Sequence, residues 1–165
     1  ASSIIMGSKA LYDFIDHNEM IEMYPVSHMN DPYVIGQNDR MVSINSCLEI
    51  DLYGQVASEA IGLEQFSGTG GQVDYLRGAK RSRGGRSILA FTSTAKGGTV
   101  SRIVPVLPPG ATVTSGRNEV DYIATEYGAV RLRGLTLRER ALALVSIAHP
   151  DFRPGLMAVV EERFS

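Results

Sequence analysis

Residues 66–75 read FSGTGGQVDY, with three glycines in four positions followed by a polar residue and an apolar run. Glycines let backbone amides approach a ligand with no Cβ in the way. The amides of Gly70 and Gly71 precede a short helix signalled by Val73, Leu76 and Ala79, so they suit an anion or a developing oxyanion. A tight turn with no ligand is the reading this motif leaves open. The stretch is neither a Walker loop, because no Lys-Ser or Lys-Thr follows at the required position, nor a dinucleotide fingerprint, because the third glycine is missing.

Three further groups bear chemistry. STAKGG, residues 93–98, follows a strong strand, which places Lys96 at a strand end where ligands collect in open α/β sheets. Its ammonium suits a phosphate, or else it is a solvated loop lysine. KRSRGGR, residues 80–86, gathers Lys80, Arg81, Arg83 and Arg86, a cluster fit for a nucleotide phosphate or RNA, or simply a solvated turn. Glu49 and Asp51 in LEIDL, and Glu126 in TEYG, sit beside apolar strand positions. A carboxylate there must be paired or shifted in pKa. Glu49 or Glu126 could thus be a nucleophile or base, or each could cap the amides of a neighbouring loop. His17 reads as helical, His28 as loop and His149 as a helix end, and they form no triad. No nucleophile elbow appears, and no His or Cys pair has metal-ligand spacing.

The elements that must position these groups follow from period and punctuation. Residues 3–6 read as a strand that needs a partner, and residues 9–17 as a short amphipathic helix with Leu11, Phe14 and Ile15 on one face. NDPYVIGQND reads as a loop begun by Asn-Asp-Pro. Residues 41–54 alternate as a half-buried strand running into a hairpin near Gly54. Residues 86–94 form a strong strand, and residues 119–128 another that ends at Gly128. TLRERALALVSIAH is a helix opened by a capping box, Thr136 with Glu139. Its stripe runs through Leu137, Ala141, Leu144, Val145 and Ala148. RPGLMAVVEERF closes the chain as a helix. The pattern is mixed α/β in one domain.

Length, 165 residues, suits one domain or one part of a larger one. A formal net charge of −2 argues against a dedicated nucleic-acid binder. The single cysteine, Cys47, excludes an internal disulfide framework, reads as a free buried thiol and fits a reducing cytoplasm. No apolar run reaches the roughly 20 residues of a membrane span, and no signal-peptide pattern opens the sequence.

Taken in order, GSKALYDFIDHN, INSCLEIDLYGQVASEAIG, SGTGGQVDYLRGA, STAKGGTVSRIVP, VDYIATEYGAVRLRGLTLRERA and IAHPDFRP resemble the C-terminal half of the acetyl-CoA hydrolase/transferase family. That group includes the 4-hydroxybutyrate and succinyl-CoA:acetate CoA-transferases, and the likeness covers nearly the whole chain. It implies a CoA-transferase-like (NagB/RpiA-like) α/β fold, a mixed sheet with flanking helices, in two similar halves with the active site between them. It also implies covalent catalysis through a glutamyl-CoA thioester, with two oxyanion donors. Coenzyme A is then a substrate, with no tightly bound cofactor.

Carried onto this sequence, the resemblance makes Asn30 of SHMNDP the side-chain oxyanion donor and the Gly71 amide the other, beside Gly70. Lys96 becomes a coenzyme A contact, and Ser67 and Leu48 line coenzyme A, although their residue types differ from those of relatives. The family's nucleophilic glutamate lies upstream of GSKALYDF. The expectation is therefore that residues 1–165 are a C-terminal domain whose N-terminal half and nucleophile segment are absent from this chain, inactive alone, with Glu49 and Glu126 structural. Partners are then an acyl-CoA, a small carboxylic acid, that other half and a possible second copy, without nucleic acid or membrane. Acetyl-CoA hydrolysis, an inactive coenzyme A-binding module and a basic-loop RNA binder are the alternatives.

Overall fold

The computed structural model describes residues 1–164. Helices α1 (Lys9–Ile15), α2 (Val26–Met29) and α3 (Pro32–Gly36) come first. Strands β1 (Val42–Asn45), β2 (Glu49–Asp51), β3 (Val56–Ala57), β4 (Ala60–Ile61) and β5 (Glu64–Gln65) precede helix α4 (Gln72–Arg81). Strands β6 (Arg86–Ala90), β7 (Thr94–Ala95), β8 (Val100–Ser101), β9 (Ile103–Val104), β10 (Tyr122–Thr125) and β11 (Gly128–Arg131) follow. Helices α5 (Leu137–Ser146) and α6 (Arg153–Arg163) close the described chain.

The main sheet has the order β1-β6-β10-β11. β1 and β10 both run parallel to β6, and β11 returns antiparallel to β10. A second sheet, β3-β2-β9, lies beside it, and β4-β5 and β7-β8 are two small hairpins. Ile50, Leu52, Leu76, Leu89, Ile103, Ile123 and Leu144 are fully buried and join the two sheets to α4, α5 and α6 in one core. At about 1.5 Å per residue, α4 spans roughly 15 Å, close to the reach of a five-residue strand at about 3.3 Å per residue. A tight turn at 82–85 joins α4 to β6, so the helix runs back along the strand. Its first turn therefore lies level with the C-terminal ends of β1, β6 and β10.

The capping box opens α5 as expected: Thr136 Oγ1 accepts from the Glu139 amide and Glu139 Oε2 accepts from the Thr136 amide at 2.8 Å. Other expectations need correction. Residues 3–6 are not a strand. Only Ser2 pairs, in a parallel bridge to Met23, while Ile4 and Met6 are 67% and 82% exposed, because apolar β-formers become a strand only where a neighbouring strand meets them. The NDPYVIG stretch is helical: Asp31 accepts from the Tyr33 amide at 2.8 Å and Pro32 takes the first helical position. Asp-Pro starts turns and helices alike. The strand expected to end at Gly128 ends at Thr125, and Gly128 opens the return strand, since Thr125 pairs with Gly128 across a two-residue turn. His28 is in α2 rather than a loop, and His17 follows α1 in a left-handed conformation with φ 51°.

Candidate functional site

Asn30 ends α2, its amide bonded to the Val26 carbonyl at 2.8 Å. Asp31 starts α3 at once, and α3 lies on α4 through Ile35. A Cβ built on Gly78 would sit 2.4 Å from Ile35 Cγ2, so only glycine lets the two helices approach this closely. That docking brings Asn30 against the opposite end of α4. A Cβ on Gly71 would lie 2.4 Å from Asn30 Nδ2 and 3.2 Å from its Cγ. The carboxamide thus fills the place a side chain at 71 would need.

Gly71 is the N-cap of α4, with no side-chain cap. The opening amides of a helix have no partner in the helix itself and carry its positive dipole end. The start of α4 is fixed from behind, where the buried Gln72 donates Nε2 to Ser115 Oγ at 3.0 Å. Asn30, Gly70 and Gly71 line a cleft of about 570 Å³, together with Met29, Asn45 and Tyr75. A side-chain amide and a helix-start amide side by side, at the C-terminal ends of parallel strands, are suited to hold negative charge growing on a carbonyl oxygen.

The other expected binding residues are not part of its lining. Ser67 is exposed, three residues before Gly70, its amide bonded to the Glu59 carbonyl at 3.2 Å. Lys96 is exposed at the tip of the β7–β8 hairpin. Leu48 is half-buried, and its carbonyl accepts from Arg102 Nε at 2.8 Å.

Glu49 is 9% exposed, and its Oε1 has no hydrogen-bond partner among the described residues. Burial pushes its carboxyl above the usual range. Asp51 accepts from the Tyr53 and Gln55 amides at 3.0 and 2.8 Å, which closes the turn between β2 and β3. Glu126 accepts from the Ser93 amide at 2.8 Å and from Ser93 Oγ at 2.7 Å. Desolvation pushes the Glu126 carboxyl up, but the two Ser93 hydrogen bonds outweigh it and hold the carboxyl below its ordinary value. None of the three carboxylates lines the Asn30–Gly71 cleft.

The basic cluster is at the far end of the sheet and does not converge. Arg83 pairs with Asp39, Lys80 donates to the Asn118 carbonyl at 3.2 Å, Arg81 lies over the Tyr33 ring, and Arg86 is exposed. The histidines are dispersed: His17 is exposed, His28 stacks on Tyr24 and His149 packs edge-on to Tyr127. Burial pushes the Cys47 thiol up to about 12, so it stays protonated. No group of three or more metal-ligating side chains occurs among the described residues, and no helix there is long and apolar enough to cross a membrane.

Asn45 and Tyr75 of the cleft were missed in the sequence reading. Asn45 is the last residue of β1, and the rule that ligands gather at the C-terminal ends of parallel strands points to it. Tyr75 carries no such signal, because on a helix it reads as part of the apolar face.

The family described as the acetyl-CoA hydrolase/transferase C-terminal domain matches residues 7–160. The 4-hydroxybutyrate coenzyme A transferase of Clostridium kluyveri is 58% identical over 162 residues, covering 98% of this chain and 38% of its own length. The succinyl-CoA:cyclohexane-1-carboxylate CoA transferase of Geobacter metallireducens is 54% identical over 155 residues, 94% of this chain and 36% of its own. The crystal structure of 4-hydroxybutyrate CoA-transferase from Porphyromonas gingivalis superimposes with a TM-score of 0.83 at 60% identity, covering 98% of this chain and 36% of that one. RipA from Yersinia pestis superimposes with a TM-score of 0.90 at 46% identity, covering 96% of this chain and 36% of that one. The chain spans little more than a third of the length of these relatives. The mixed α/β fold is that of the CoA-transferases.

Proposed function

The chain belongs to the acetyl-CoA hydrolase/transferase C-terminal domain family, and on that premise we propose that it supplies the oxyanion hole and coenzyme A contacts of a CoA-transferase. The observation that carries this reading is the Asn30 carboxamide packed against the α-carbon of Gly71 at the uncapped start of α4. A carboxylate nucleophile contributed by sequence outside this chain attacks the thioester carbonyl of an acyl-CoA. Its π electrons move onto oxygen, and Asn30 Nδ2 and the Gly71 amide donate to that oxygen. The oxyanion collapses and expels the coenzyme A thiolate, leaving a mixed anhydride; the thiolate attacks the glutamyl carbonyl of that anhydride and expels the first acid as its carboxylate, and an acceptor carboxylate then takes the coenzyme A by the same steps in reverse. Each exchange passes through tetrahedral oxyanions, so the same two donors serve in both directions.

In this reading Lys96 meets the phosphates of coenzyme A, while Ser67 and Leu48 border its path. Coenzyme A is a substrate, and no resident cofactor or metal takes part. Transfer to an acid rather than to water is favoured by the names of the two curated relatives above. Residues 1–165 act as a C-terminal domain with an N-terminal half that completes the site, in the cytoplasm, with a second copy of the protein as a further possible partner. Nucleic acid and membrane have no role.

The test is transfer of coenzyme A from butyryl-CoA to acetate by the full-length protein that carries this domain. Asn30→Ala should lower kcat by about 100-fold, the scale of losing one oxyanion donor, with a much smaller change in KM. An unchanged kcat would refute the assignment.

A further inference from the structure

Lys96 is one of three non-glycine residues with positive φ among the described residues, and two glycines in the same region follow it: φ is 49° at Lys96, 66° at Gly97 and 93° at Gly98. A lysine in the left-handed region is sterically disfavoured and persists only where its surroundings over-determine it. Those surroundings are on both sides of the hairpin. At its start, the fully buried Ser93 gives both its amide and its hydroxyl to the two oxygens of Glu126, at 2.8 and 2.7 Å. Across the hairpin, the Arg102 amide donates to the Ser93 carbonyl at 2.9 Å. The Arg102 guanidinium then reaches the Leu48 carbonyl at 2.8 Å and Thr92 Oγ1 at 3.0 Å. At the tip, Thr99 Oγ1 donates to the Lys96 carbonyl at 2.9 Å.

Glu126 itself stands on a rigid base. It occupies the two-residue turn between β10 and β11. Thr125 Oγ1, just before it, donates to the Ile147 carbonyl at the end of α5, at 2.6 Å. The Tyr127 ring, just after it, meets His149 edge-on at 5.4 Å and lies under the Arg153 guanidinium at 5.5 Å. A continuous set of contacts thus leads from the packed α5 and α6 through Glu126 and Ser93 to the Lys96 turn.

We propose that Glu126 is a positioning residue that holds the Lys96 turn in its ligand-ready conformation through the two hydrogen bonds to Ser93. This deepens the coenzyme A reading of Lys96 and rests on it. Holding the turn before the ligand arrives removes the ordering cost from binding. Glu126 is exposed, so its substitution leaves the core intact.

The experiment combines hydrogen exchange in the absence of ligand with calorimetric titration of free coenzyme A, both on the full-length protein that carries this domain, for the wild type, Glu126→Gln, Lys96→Ala and the double variant. Glu126→Gln should speed exchange of the amides of residues 94–101 while leaving the melting temperature and the exchange of α5 unchanged. It should weaken coenzyme A binding roughly ten-fold, the factor that about 1.4 kcal/mol represents. Because Glu126 acts through Lys96, the double variant should bind no more weakly than Lys96→Ala alone. Unchanged exchange over 94–101, or losses that multiply in the double variant, would overturn the proposal. Wild-type protein that fails to bind coenzyme A, with a hairpin that still loosens in Glu126→Gln, would sink the coenzyme A reading and uphold the positioning role.

Discussion

The first 33 residues and the remainder of the chain are built differently. Helices α1 and α2 contain no buried residue. Phe14 is 57% exposed and Met20 78%. Apart from local turns, this region is tied by the Ser2–Met23 bridge, with the Ser2 amide on the Glu22 carbonyl and the Tyr24 amide on the Ser2 carbonyl, both at 2.9 Å. From β1 onward the chain surrounds a continuous core, with Leu89, Ile123, Leu144 and Val160 fully buried. Asn30 belongs to the thinly packed part and Gly71 to the firmly packed one. The candidate oxyanion hole therefore lies on a seam. Its backbone donor is fixed by a helix anchored in the core, and its side-chain donor by α3 docking on Gly78.

Truncating one side chain in each region should separate the two most clearly. Leu144→Ala, at 0% exposure, should cost about 3–4 kcal/mol in urea unfolding, the usual loss for a buried leucine. Phe14→Ala should change the stability of this chain by no more than about 0.5 kcal/mol, as exposed substitutions do. Comparable losses for the two would erase the division between the regions.

A smaller effect sharpens it within the packed region. Burial raises the Glu49 carboxyl above its ordinary range, and its Oε1 is unpartnered among the described residues. A carboxyl raised on folding contributes its stability below the unfolded pKa and loses it as pH rises through the folded one. At neutral pH Glu49 therefore weakens the fold. Glu49→Gln should stabilise the chain at pH 7, because the carboxamide keeps the shape of the side chain and removes its buried charge. The gain should vanish below about pH 4, where folded and unfolded carboxyls are both protonated. Urea titrations of the two proteins across that range check both sign and window.

What could be read from sequence tracks the range of the forces involved. Thr136 and Glu139 are three residues apart and satisfy each other, so the start of α5 was legible from local chemistry alone. The glycines at 70 and 71 before a helix were legible for the same reason, whereas the strand expected over residues 86–94 ends at Ala90 and Lys96 stands on the separate β7–β8 hairpin. The failure at residues 3–6 has the opposite cause, since strand formation depends on a partner that no local pattern reveals. Asp31-Pro32 is ambiguous because one dipeptide serves both a turn and a helix start, and the docking of Ile35 on Gly78 resolves it. The pairing of Asn30 with Gly71 spans 41 positions and emerged only from family likeness, not from spacing. The grip of Glu126 on Ser93 also joins distant segments: the sequence offered a carboxylate that caps the amides of a neighbouring loop, and only the fold shows that the loop is at Ser93.

The most direct test of the seam is a titration of the isotopically labelled chain with acetyl-CoA, followed by nuclear magnetic resonance. The Asn30 side-chain amide and the Gly71 backbone amide should shift together, saturate at one ligand concentration and move less with free coenzyme A, which lacks the carbonyl. Saturation of other signals while both of these stay in place would contradict the oxyanion hole assigned to them.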